Sequence, residues 1–127
     1  MKTIEIGVID PKQDYAELLA LARNIDAGKT MAEAVPRLNF TSLKQLFVTI
    51  TEKRLELIQY VAVHEGLNTH QLARSLGRDY KNVYEDVYED VYDLCDYGLL
   101  EKDERGVLSA PYDQIVIRAN LREDVAA

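Results

Sequence analysis

The sequence predicts an α+β chain, mainly α: a winged helix-turn-helix over residues 51–121, preceded by an N-terminal strand–helix arm over 1–50 that serves dimerisation, and followed by a flexible tail at 122–127. Three observations predict it. Apolar residues recur at helical spacing between Thr51 and Tyr97, with Gly66, Gly77 and Gly98 at the expected breaks. The segments LLEKD and GVLSA flank Glu104-Arg105-Gly106 and read as a hairpin. Residues 3–9, TIEIGVI, alternate polar and apolar and read as a strand. Helix, tight turn, longer helix and hairpin, in that order, make a winged helix-turn-helix.

The elements follow in chain order. Asp10-Pro11 stops the first strand, and Pro11 suits the first turn of a helix. Tyr15, Leu18, Leu19, Ala22 and Ile25 then share a helical face, with Gly28 as its C-cap. In the thin segment Lys29–Asn39, Pro36 breaks any helix, and RLNF reads as a short strand. Thr41 or Ser42 caps a short helix through Phe47. A lone strand at 3–9 is not stable by itself. It must pair with RLNF or with its copy in a second chain, and the latter motivates a homodimer.

A soft boundary falls near residue 50, where Thr51 opens the second half. There Leu55, Leu57, Ile58, Val61 and Ala62 form one broad stripe, ending near Gly66. Asn68 or Thr69 caps the next helix, whose Leu72, Ala73 and Leu76 face inward. Gly77 supplies the turn, and Asp79 caps a helix that runs to about Tyr97 and stops at Gly98. No Gly or Pro interrupts residues 80–96, so that helix is expected to be continuous. Pro111 begins a last extended segment that includes QIVIRANL, and REDVAA frays.

Composition narrows the possibilities. At 127 residues and 47% hydrophobic, the chain suits one domain, or one small domain plus an arm. No apolar run approaches the roughly 18 residues of a membrane helix, and the N-terminus lacks a signal-peptide core. One cysteine, Cys95, excludes an intrachain disulfide and a cysteine zinc cluster and reads as a buried thiol. These features point to the cytoplasm. His64 reads as a helix-end cation and His70 as a first-turn surface residue, with no partner at metal-ligand spacing. No nucleophile–base pair, metal set or phosphate loop is present, so no enzyme, cofactor or metal site is expected. The net charge of -7 argues against generic nucleic-acid binding. Screening confines fields to about 8 Å at physiological salt, so a local basic patch still counts.

The long helix carries a tandem repeat. Val83-Tyr84-Glu85-Asp86 is followed by Val87-Tyr88-Glu89-Asp90 and then Val91-Tyr92-Asp93. A period of four puts Tyr80, Tyr84, Tyr88 and Tyr92 on one slowly drifting stripe, with valines on a second and acids on two more. The plain interpretation is a valine and part-tyrosine core beneath a solvated acidic face. Like charges at i,i+4 nevertheless cost about 0.2–0.5 kcal/mol per pair. A cation should therefore sit nearby, from a partner protein or from the chain's own Arg and Lys.

Residues 40–118 resemble a family of small prokaryotic winged helix-turn-helix proteins, described as transcriptional regulators or antitoxin-like DNA-binding proteins. The marks are Lys53-Arg54-Leu55-Glu56-Leu57, Leu72-Ala73-Arg74, Gly77-Arg78-Asp79-Tyr80-Lys81-Asn82-Val83, Gly98-Leu99 and Pro111-Tyr112-Asp113. The resemblance implies a repressor or co-regulator encoded beside a small partner protein, sometimes a toxin. One VYED unit looks like an insertion relative to that pattern. Four residues rotate a helix by about 400° and lengthen it by about 6 Å, so faces are nearly kept while the wing moves along the axis.

The cations lie where a winged helix meets DNA. Arg74, Arg78 and Lys81 surround the turn and the N-terminal end of the recognition helix. Asn82 suits adenine and Arg78 guanine. Tyr80 and Tyr84 suit phosphates or a thymine methyl. Lys53 and Arg54, at a helix start, suit phosphates, and Lys102 and Arg105 sit on or near the wing tip. The expected function is a dimeric, sequence-specific DNA-binding regulator that represses its own operon. The alternative is a protein-interaction module whose acidic, tyrosine-rich helix docks a basic partner such as a toxin, through Tyr88, Glu89, Tyr92 and Asp93.

Overall fold

The computed structural model describes residues 1–8, 35–76 and 80–122, the side chains of residues 80–85 excepted. The chain is α+β and divides into two units, residues 3–49 with 114–127 and residues 1–2 with 50–113. The helix expected over Tyr15–Ile25, its Gly28 cap, the end of the first strand at Ile9, the Gly77 turn, the Asp79 cap and the last five residues of the tail lie outside the described residues.

The first unit is built on a parallel sheet. Strand β1 (Thr3–Val8) lies between β2 (Arg37–Phe40) and β5 (Gln114–Arg118), and both neighbours run parallel to it. The alternation in TIEIGV explains its central place: Ile4 and Ile6 are buried on one face. Glu5 points to the other and meets Arg37 Nε at 3.3 Å and Arg118 Nη2 at 3.0 Å, one cation from each neighbouring strand. Helix α1 (Leu43–Thr49) follows β2. Ser42 Oγ accepts from the Gln45 N–H at 3.1 Å, and Gln45 Oε1 accepts from both the backbone and the hydroxyl of Thr41. This helix runs two residues past Phe47 and buries Leu46.

One open alternative is resolved here and one expectation changes. RLNF is indeed a strand and pairs with β1 inside the chain, and β5 takes the other edge of β1. The first strand therefore needs no second copy, and the argument for dimerisation from an orphan strand falls away. The last extended segment, expected to belong with residues 51–121, instead completes the sheet of the N-terminal unit. Its apolar IVI run matches a strand laid in a parallel sheet, whereas a free wing extension would leave it without a ladder.

The second unit is helical with a hairpin. Helix α2 (Glu52–Val63) is capped by Thr51, whose Oγ1 accepts from the Arg54 N–H at 3.2 Å. It buries Leu57, Ile58 and Val61. Helix α3 (Thr69–Ser75) starts with a capping box in which Asn68 and Gln71 exchange side-chain-to-backbone hydrogen bonds of 2.8 and 2.9 Å. Its Leu72 and Ala73 are buried, and it packs on α4 (Tyr80–Asp96), which is unbroken as expected.

Along α4, Val87, Val91 and Leu94 are buried, one stripe of the repeat. The helix stops in a Schellman motif. The Leu99 N–H reaches Leu94 O at 2.9 Å and the Gly98 N–H reaches Cys95 O at 3.1 Å, with Gly98 at φ +78. Strands β3 (Glu101–Lys102) and β4 (Leu108–Ser109) form the expected antiparallel hairpin. Asp103 shapes its turn, with one carboxylate oxygen accepting from the N–H groups of Arg105 and Val107. A feature not legible in the sequence ties hairpin to helices: Asn68 bridges Val107, and the Leu108 N–H donates to Leu67 O at 2.8 Å.

Candidate functional site

The acidic flank of α4 is held by the start of α2. The Thr51 cap fixes the first turn of α2 and thereby the positions of Lys53 and Arg54. Arg54 Nε donates to Asp90 Oδ1 at 2.9 Å, and its Nη2 donates to Asp93 Oδ2 at 2.6 Å. Two carboxylates at i,i+3 on one helix flank match the fork of a guanidinium. The Arg54 and Asp90 side chains are only 13% and 14% exposed, so this pair is shielded from water. Burial opposes the charge on Arg54. The hydrogen bonds and fields of Asp90 and Asp93 outweigh it and hold the guanidinium above its ordinary pKa. One turn earlier, Lys53 Nζ lies 3.2 Å from Asp86 Oδ2, and both of those side chains are about half exposed.

This arrangement gives three of the expected site residues partners within the chain. Arg54, read as a phosphate contact, has its fork on two carboxylates and little surface left. Lys53, read likewise, is occupied by Asp86. Asp93, read as part of a partner surface, accepts from Arg54. The cation that the like-charged repeat demanded comes from the chain's own Lys-Arg pair, one of the two sources the spacing allowed. Asp86 and Asp90 are the residues sequence reasoning left without a role. Their signal was present: a period-four acid ladder and a Lys-Arg pair at the start of the preceding amphipathic helix.

With those acids turned to α2, the outer face of α4 carries Tyr88, Glu89 and Tyr92, with Tyr92 74% exposed. Arg74 is exposed in the last turn of α3. Lys102 and Arg105 are exposed on the hairpin, one on β3 and one in the turn. Arg78 and the side chains of Tyr80, Lys81, Asn82 and Tyr84, all expected at the turn and start of the long helix, lie outside the described residues. Of the expected DNA contacts outside α2, the structure thus describes Arg74, Lys102 and Arg105.

Other candidates have structural roles. His64 caps α2, with Nδ1 3.0 Å from Tyr60 O and its ring stacked on Tyr60. His70 is exposed in the first turn of α3. Cys95, expected as a buried thiol, is half-buried; burial pushes its pKa up, and the field of Lys102 pulls the other way. Among the described residues no group of three or more His, Cys, Asp or Glu side chains is placed to hold a metal ion. No described helix is long and apolar enough to cross a membrane.

No curated protein and no solved structure matches the chain. A family model does: HVO_A0114 matches residues 49–117, a span that runs from the end of α1 through α2, α3, α4 and the hairpin to β5. That match covers more than half of the 127 residues, and the chain belongs to the HVO_A0114 family.

Proposed function

We propose that residues 51–113 form a winged helix-turn-helix and that the protein is a sequence-specific DNA-binding regulator that represses its own operon. One observation carries this reading. In the order α2, α3, α4 and hairpin, Arg74, Lys102 and Arg105 are exposed, while Asp86, Asp90 and Asp93 are paired with Lys53 and Arg54. A recognition helix rich in acid would repel phosphate; here three of its six carboxylates, Asp86, Asp90 and Asp93, are paired with Lys53 and Arg54. The remaining contacts are Arg78, Tyr80, Lys81, Asn82 and Tyr84, at the end of the helix that meets base edges in this fold. A homodimer then reads two half-sites. The protein acts in the cytoplasm, where its DNA is.

The test is fluorescence anisotropy of the protein on DNA from upstream of its own gene, beside Arg78→Ala/Lys81→Ala. Saturable binding with a steep salt dependence, lost in the double variant, is the expected result. No saturable binding by the wild type at low salt sinks the reading.

The exposure of Tyr88, Glu89 and Tyr92 favours a second reading, a docking face for a basic partner protein of the toxin kind. The two are compatible on one helix. Tyr88→Ala/Tyr92→Ala should abolish partner binding and spare DNA binding; loss of both together would count against separate faces.

A further inference from the structure

We propose that the cavity between α2 and α4 binds a small aromatic amine, whose ammonium takes the place of Lys53 on Asp86. The cavity is partly enclosed, has a volume of about 210 Å³, and is walled by Leu57, Tyr60, Leu76 and Val87. A cavity of about 150 Å³ already accepts benzene when its walls are apolar, so this one has room for a single ring with a short arm. Leu57 and Val87 are buried, and stacking on His64 pins the ring of Tyr60.

The polar side of the wall sets the charge of the ligand. Lys53, Glu56, Asp86 and Asp90 complete the lining, three carboxylates to one ammonium. Asp90 is held by Arg54 in a shielded pair, which no small ligand displaces readily. Asp86 differs. Its partner Lys53 reaches it at 3.2 Å across a half-exposed pair, and such pairs are worth at most about 1 kcal/mol. A second ammonium anchored by apolar walls therefore competes well for the same carboxylate. An acid with the same ring would instead be repelled by the Asp86 carboxylate.

This inference does not rest on the DNA reading. The test is an NMR titration of the full chain with phenethylamine, and in parallel with phenylacetate. Saturable shifts of backbone amides in residues 53–60 and 86–90 are expected with the amine alone. Removing the competitor by Lys53→Ala should tighten amine binding about two- to fivefold, the range an exposed pair implies. Asp86→Asn should weaken it at least as much. These opposite effects separate a ligand site from a merely structural ion pair, since loss of structure would weaken binding in both variants. Val87→Phe should fill the cavity and block binding, with a thermal melt to show that it folds; if it does not fold, the Lys53 and Asp86 variants still decide. No saturation with the amine, equal binding of phenylacetate, or weaker binding by Lys53→Ala would each overturn the proposal.

Discussion

Removing the guanidinium of Arg54 leaves Asp90 and Asp93 one helical turn apart without the fork that joins them. Arg54→Ala is therefore expected to destabilise the protein by about 2–4 kcal/mol, below the full value for a buried pair because Asp93 is 36% exposed. Lys53→Ala breaks a half-exposed pair and should cost less than about 1 kcal/mol. Urea denaturation of both variants checks the contrast; equal losses would mean that burial does not separate the two pairs. Cys95 offers a second residue-scale prediction. Burial raises its pKa, so the folded state holds the thiol proton more tightly than the unfolded state does. Its contribution to stability is full below the unfolded thiol pKa and is lost as pH rises through the folded one. The pH profile of alkylation should accordingly be displaced upward from that of a free cysteine, and Lys102→Gln should displace it further up by removing the cation that opposes burial. A downward displacement in Lys102→Gln would refute the assigned cause. At this scale the sequence was half legible. Like charges at period four announced that a cation was needed, but which cation supplied it depended on how α2 lies against α4, and no residue pattern encodes that.

At the scale of elements the pattern was largely readable, because caps and periodicity are local. Thr51, Asn68 and Gly98 all stand at the helix ends where their chemistry puts them. Gly98→Ala tests one of them. A Cβ there would meet nothing within 4 Å, so its cost is backbone conformation alone, about 1 kcal/mol at φ +78. Leu94→Ala removes a side chain with no exposure from the same end of α4 and should cost about 2–5 kcal/mol through the cavity it leaves. Thermal or chemical denaturation distinguishes them; a Gly98→Ala loss as large as that of Leu94→Ala would mean that the Schellman turn cannot relax. What local signals could not provide was pairing. The Asn68–Val107 bridge and the β1–β5 ladder join residues far apart in sequence, and a three-residue apolar run reads the same whichever strand it joins.

For the whole molecule, the return of β5 to the sheet and the net charge of -7 each carry a consequence. A chain ending at Asp113 lacks β5 and leaves β1 with β2 as its one neighbour in that sheet. Hydrogen exchange should then show the amides of Thr3–Val8 losing protection while those of Val87–Leu94 keep theirs; protection retained at β1 would show that the two-stranded remainder suffices. The charge bears on the DNA reading. With Lys53 and Arg54 paired to α4, the other cations of residues 51–113, proposed to meet phosphate, are Arg74, Arg78, Lys81, Lys102 and Arg105. Counterion release gives about −0.9 in the slope of log K against log salt per phosphate neutralised, so these five cations of one chain should give a slope no steeper than about −4.5. Arg78→Ala/Lys81→Ala should flatten it by about 2. A charge-reducing change at Arg54 that leaves the protein folded, such as Arg54→Gln, should leave the slope unaltered, because that guanidinium faces carboxylates and not phosphate. A slope that flattens on losing Arg54 as much as on losing Arg78 or Lys81 would place DNA on the α2 flank of α4 and reverse the assignment of its faces.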